Sequence, residues 1–92
     1  MNNVTIIGDG GWGTALALVL QRNKNNVTVW GYSSENVDLI NKKQENVNYL
    51  PNIPIPHNIK WTSSPKDAVL SADVIVIVVP STVVPLRQTI LS

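Results

Sequence analysis

Short apolar runs recur along the chain, separated by stretches of helical periodicity or by turn residues. Val4-Thr5-Ile6-Ile7 is apolar and β-branched and predicts a buried strand. Glycine-rich punctuation follows at residues 8–13. Residues 14–22 include Ala15-Leu16-Ala17-Leu18-Val19-Leu20, helix formers on nearly every face, which predicts a helix buried against a sheet. Residues 23–26 end it. Val27-Thr28-Val29-Trp30 predicts a second strand, closed by Gly31. Ser33 or Ser34 is placed to cap a helix over residues 35–43, with Val37, Ile40 and Leu39 turned inward. A long connection over residues 44–58 carries Pro51, Pro54 and Pro56, and loops of that length in a small domain are often functional. Residues 59–62 predict a third strand. Ser64-Pro65-Lys66-Asp67 has the capping serine, first-turn proline and early acid of a helix start, and that helix is expected to end near Ala72. Residues 74–79 are apolar without alternation, the pattern of a strand buried on both faces. Pro80 stops that run, and Ser81 caps a further helix over residues 82–91.

The order βαβαβαβα predicts an α/β fold: a doubly wound parallel sheet with strand order 3-2-1-4 and right-handed crossovers. Gly8-Asp9-Gly10-Gly11-Trp12-Gly13 adds chemistry to that frame. It fits G-x-G-x-x-G, and it leaves a predicted strand and opens a predicted helix, which is the context of a Rossmann dinucleotide-binding turn. Gly8 permits the tight turn, Gly10 lets a pyrophosphate approach the backbone, and Gly13, with Ala17 one turn on, lets the helix pack closely. Free N–H groups and the positive end of the helix dipole would then hold the diphosphate of NAD or NADP. The plainer reading is a glycine-rich turn without a ligand.

The end of the second strand ordinarily carries an Asp or Glu for the adenosine ribose, or an Arg nearby for a 2′-phosphate. Here it reads Trp30-Gly31-Tyr32-Ser33-Ser34-Glu35, with neither in the expected place. Tyr32 could stack on adenine, and Ser33 or Ser34 could bond a ribose oxygen or a 2′-phosphate, or only cap the next helix. Glu35 falls in the first helical turn, where an acid is favoured in any case. The choice between NAD and NADP stays open.

Size and composition narrow the rest. A chain of 92 residues allows one domain, whereas a full dinucleotide-binding sheet takes roughly 130–180 residues. The expectation is therefore an incomplete sheet of about four strands, with an exposed edge beside the fourth. Net charge is +1, and the five Lys and two Arg are scattered, so no basic stripe points to nucleic acid. There is no cysteine, which excludes disulfides and thiolate chemistry. No apolar run is long enough to insert in a membrane, and the start of the chain lacks the pattern of a signal peptide; a cytoplasmic protein is expected. His57 lies in the proline-rich loop without a partner acid or serine and reads as structural or solvated. Lys60 and Lys66 read as surface charges, and no metal-ligand cluster is present. The eleven asparagines read as compositional drift in loops and helix ends.

Four segments in one register resemble a known family. They are the glycine turn continued through Thr14-Ala15-Leu16-Ala17; Val29-Trp30-Gly31; Asn46-Val47-Asn48-Tyr49-Leu50-Pro51 with its trailing prolines; and Ala72-Asp73-Val74 through Val79-Pro80-Ser81. Together they are similar to the bacterial NAD(P)-dependent glycerol-3-phosphate dehydrogenases. The resemblance implies that residues 1–92 form the N-terminal cofactor-binding domain of such an enzyme, in part. The substrate and catalytic domain, with the family's catalytic lysine, would lie beyond Ser92. The implied reaction is hydride transfer between NAD(P)H and dihydroxyacetone phosphate or glycerol 3-phosphate, in phospholipid synthesis. Gly8, Gly10, Gly11, Trp12, Gly13, Tyr32, Ser33, Tyr49 and Pro80 fall at or beside the cofactor, and no catalytic residue lies in this stretch. Trp12 could equally be a hydrophobic plug between helix and loop. Gly11 stands where the family often has Ser or Ala, and no basic residue accompanies Tyr32 and Ser33. The resemblance leaves room for a homodimer, and it implies that residues 1–92 alone have no turnover. Two rivals remain: the start of another NAD(P) dehydrogenase such as a ketopantoate reductase, and a non-enzymatic nucleotide-sensing module.

Overall fold

Residues 2–78 are described by the structure, a computed structural model. The seven elements in chain order are β1 (Asn3–Ile7), α1 (Gly11–Arg22), β2 (Asn26–Trp30), α2 (Ser34–Lys43), β3 (Lys60–Thr62), α3 (Pro65–Val69) and β4 (Val74–Ile77). The expected end of the fourth strand at Val79, Pro80, Ser81 and the helix over residues 82–91 lie outside the described residues.

The four strands form one parallel sheet in the order β3-β2-β1-β4, as the alternation of elements requires. Val4 pairs with Val27 on one side and with Val74 on the other, so β1 is central. Side chains alternate along β1, and their contacts place a helix on each face. Thr5 donates its hydroxyl to the carbonyl of Ala68 in α3 at 2.5 Å. On the opposite side, the Cγ2 of Ile6 lies under Gly13 at the start of α1. The core is built from Val4, Ile6, Val27, Val29, Trp61 and Ile59 of the sheet region, closed by Ala17, Val37, Ile40 and Ile55.

Local chemistry sets the helix boundaries. Ser33 caps α2, its hydroxyl accepting from the Asn36 N–H at 3.2 Å, and Ser64 caps α3 in the same way from Asp67 at 3.3 Å. Gln44 stops α2 in a left-handed conformation, φ 55°, with its N–H on the Ile40 carbonyl. Helix α1 begins at Gly11, three residues before the apolar run that predicts it, because the last three residues of the glycine turn already form its first turn. Helix α3 is shorter than expected, ending at Val69 rather than near Ala72.

Strand β4 departs from expectation. Its unbroken apolar run predicts burial on both faces, yet Val74, Ile75 and Ile77 are 43%, 50% and 55% exposed. It lies at the edge of the sheet with only β1 beside it, so the described residues leave its faces largely without cover.

Candidate functional site

At the C-terminal end of β1 the chain turns sharply at Gly8, whose φ of 133° is a conformation that side chains rarely adopt. The turn is fixed from both flanks: the Gly8 N–H donates to the Trp30 carbonyl, and the Val78 N–H to the Ile7 carbonyl, each at 3.0 Å. Five residues on, Gly13 sits directly against the Gly8 carbonyl, and any Cβ there would overlap it. Helix α1 is thereby drawn down onto the end of β1.

Its N-terminus is left open. Gly10 is the N-cap, no side chain caps the helix, and its first turn contains no acid. The Gly10 carbonyl takes the Thr14 N–H at 2.9 Å, the first bond of the helix, so the N–H groups of Gly11, Trp12 and Gly13 have no acceptor within it. They face a cleft of about 410 Å³ lined by Gly8, Asp9, Gly10, Gly11, Trp12, Gly13, Tyr32, Tyr49 and Val78. Among the described residues nothing lies within 4 Å of where a Cβ on Gly10 would stand, whereas one on Gly11 would come 3.2 Å from the Tyr49 carbonyl oxygen. The turn is bare on the cleft side at Gly10 and roofed by the Tyr49 loop at Gly11.

Seven of the nine expected site residues meet at this cleft: Gly8, Gly10, Gly11, Trp12, Gly13, Tyr32 and Tyr49. Trp12 is 75% exposed, which removes the reading of it as a plug in the core. Tyr32 is also exposed, and its ring stands edge-on to Trp30 with centroids 6.3 Å apart. Ser33 is not among the cleft residues; its hydroxyl is engaged at the cap of α2. Pro80 lies outside the described residues.

The structure adds residues that the sequence reading passed over. Asn46 is fully buried, and its side-chain amide donates to the Asp9 carbonyl at 2.7 Å and to the Thr14 hydroxyl at 2.8 Å. Asn48 donates to the Asn36 side-chain oxygen at 2.8 Å, and Asn36 donates in turn to the Asp9 carboxylate at 2.9 Å. Three asparagines therefore tie the proline-rich loop and α2 to the glycine turn, which corrects their reading as compositional drift. The available signal was spacing: Asn46 and Asn48 sit just before Tyr49 in the segment already singled out. The same loop is anchored below by Ile55, which is buried and donates its N–H to the Gln44 carbonyl at 2.9 Å.

A glycine turn running from the central strand into a helix, with a cleft beyond the carboxyl ends of β1 and β4 where the strand order reverses, defines a Rossmann-type α/β domain. Residues 3–90 match the family model described as NAD-dependent glycerol-3-phosphate dehydrogenase N-terminus. The chain belongs to that family. It is 46% identical over 92 residues to a glycerol-3-phosphate dehydrogenase (NAD(P)+) of Bacillus subtilis, covering 98% of this chain and 27% of the relative. Its counterpart in Bacillus pumilus is 46% identical over 81 residues, covering 88% and 24%. Among solved structures, the glycerol-3-phosphate dehydrogenase of Coxiella burnetii superimposes with a TM-score of 0.80 at 42% identity, covering 87% of this chain and 25% of that one. That of Saccharomyces cerevisiae gives 0.78 at 32% identity, covering 88% and 27%. The chain thus spans about a quarter of the length of these relatives.

Proposed function

We propose that this chain is the cofactor-binding part of a glycerol-3-phosphate dehydrogenase and that its cleft holds NAD or NADP by the pyrophosphate. One observation carries the reading: the uncapped start of α1, with three N–H groups that have no acceptor among the described residues, faces a cleft in which Gly10 offers bare backbone. An anion there gains hydrogen bonds and the favourable end of the helix dipole, and no first-turn acid opposes it. In this reading Gly8 and Gly13 shape the turn, Gly10 and Gly11 face the diphosphate, and Trp12, Tyr32 and Tyr49 wall the cleft.

The bound cofactor would supply the hydride chemistry, and these residues hold and orient it. Residues 1–92 form part of the N-terminal domain in this reading, and the groups acting on the substrate, dihydroxyacetone phosphate or glycerol 3-phosphate, belong to a further domain. A cytoplasmic homodimer is the proposed setting. The test is a titration of NADH and NADPH against the purified chain, following quenching of its three tryptophans. Saturable binding of either is expected; a folded chain that binds neither would overturn the reading.

A further inference from the structure

The carboxylate that Rossmann-type domains usually present to the adenosine ribose comes from the end of β2. In this chain β2 ends at Trp30 and continues Gly31-Tyr32-Ser33, without an acid. Ser33 is committed to capping α2, and Glu35 lies in the first turn of that helix. The ribose position would then have no anionic acceptor, unless another element supplied one.

The glycine turn does so. The Asp9 side chain extends to the β2 side of the turn, where its carboxylate lies against Gly31. A Cβ added to Gly31 would stand 2.5 Å from Oδ2 and 3.0 Å from Cγ. The carboxyl group thus fills the space that a residue-31 side chain would take. Its orientation is imposed by Asn36, which donates to Oδ2 at 2.9 Å and is itself held by Asn48 at 2.8 Å. Among the described residues Oδ1 has no hydrogen-bond partner, and Asp9 lines the cleft. The contacts to Gly31 and Asn36 turn the negative charge toward β2 and α2 rather than toward the bare N–H groups of α1.

We propose that Asp9 is the specificity-determining residue of this site, reading the two adenosine ribose hydroxyls in place of a β2 carboxylate and favouring NAD over NADP. The proposal rests on the dinucleotide reading above. A carboxylate accepts hydrogen bonds from a 2′,3′-diol and repels a 2′-phosphate, since like charges held together in an interface disfavour the complex. Gly31 belongs to the same device: only a residue without a side chain leaves the carboxylate room.

The test compares ADP-ribose with 2′-phospho-ADP-ribose, which isolate the adenosine end of the cofactor, by titration calorimetry on the full chain. The wild-type chain is expected to prefer ADP-ribose by about tenfold or more. In Asp9→Asn, which removes the charge and keeps an acceptor for Asn36, that preference is expected to fall to within about threefold of equality. A part played only in supporting the turn would lower stability without moving this ratio. Wild-type preference for the 2′-phosphorylated ligand overturns the proposal and needs no variant to be folded. So does an unaltered ratio in Asp9→Asn. If the wild-type chain binds neither ligand, the dinucleotide reading itself fails and the assignment falls with it.

Discussion

The side-chain amide of Asn46 lies 2.7 Å from the carbonyl oxygen of Asp9, across 37 positions of sequence. The loop after α2 therefore holds the glycine turn directly, through a donor that is fully buried.

Asn46→Ala should loosen that turn. The substitution leaves the Asp9 carbonyl without this donor and takes the amide from the Thr14 hydroxyl, and it also removes a buried Asn46 oxygen that has no partner among the described residues. A net loss of about 1–3 kcal/mol is expected in urea unfolding. Asn46→Asp should cost more, because it sets a buried negative charge against the Asp9 carbonyl oxygen.

Two glycines of the turn should respond in opposite ways. Gly13→Ala forces a Cβ into the Gly8 carbonyl, and a loss of about 3 kcal/mol or more, enough to unfold a small domain, is expected. Gly10→Ala meets nothing within 4 Å among the described residues, and its φ of −71° suits any residue. It should cost about 1 kcal/mol, as alanine at an N-cap does, yet its methyl group faces the cleft and should weaken NADH binding about tenfold or more. Denaturation and titration of the two variants side by side separate the effects.

Trp12→Ala should leave stability within about 0.5 kcal/mol, the range of surface substitutions, because the indole is 75% exposed. It should still weaken NADH binding and remove much of the quenching signal. Retained affinity with full quenching would place the cofactor away from α1.

The 92-residue chain should bind dinucleotide and show no oxidation of NADH with dihydroxyacetone phosphate. The assay follows NADH absorbance with and without substrate, and turnover by the pure chain would overturn the assignment of catalysis to a further domain.

The sheet order and the glycine turn were legible because each rests on local chemistry. Apolar β-branched runs announce β1 and β2, and G-x-G-x-x-G between strand and helix announces the turn. Burial of β4 was not legible, since an apolar run records what a strand is suited to and not what lies over it. The role of Asn46 was hidden for another reason. Its partners, Asp9 and Thr14, belong to a distant segment, and an asparagine in a loop looks the same whether it is solvated or clamped. Ser33 shows the limit from the other side: a cap and a ribose contact can use the same hydroxyl, and only the structure shows the cap contact, with the Asn36 N–H at 3.2 Å.

The asparagine ties also bear on whether this nucleotide turn can be moved elsewhere. Residues 4–31 look self-sufficient as a strand, glycine turn, helix and strand. Yet Asp9 is held by Asn36 and Asn46, and Gly11 is roofed by Tyr49, all from later in the chain. A graft of the first thirty residues into another scaffold would carry the fingerprint and lose its scaffolding; a transplantable unit must keep the loop as far as Ile55, where it is anchored again in the core, and also the β4 flank, where Val78 holds Ile7.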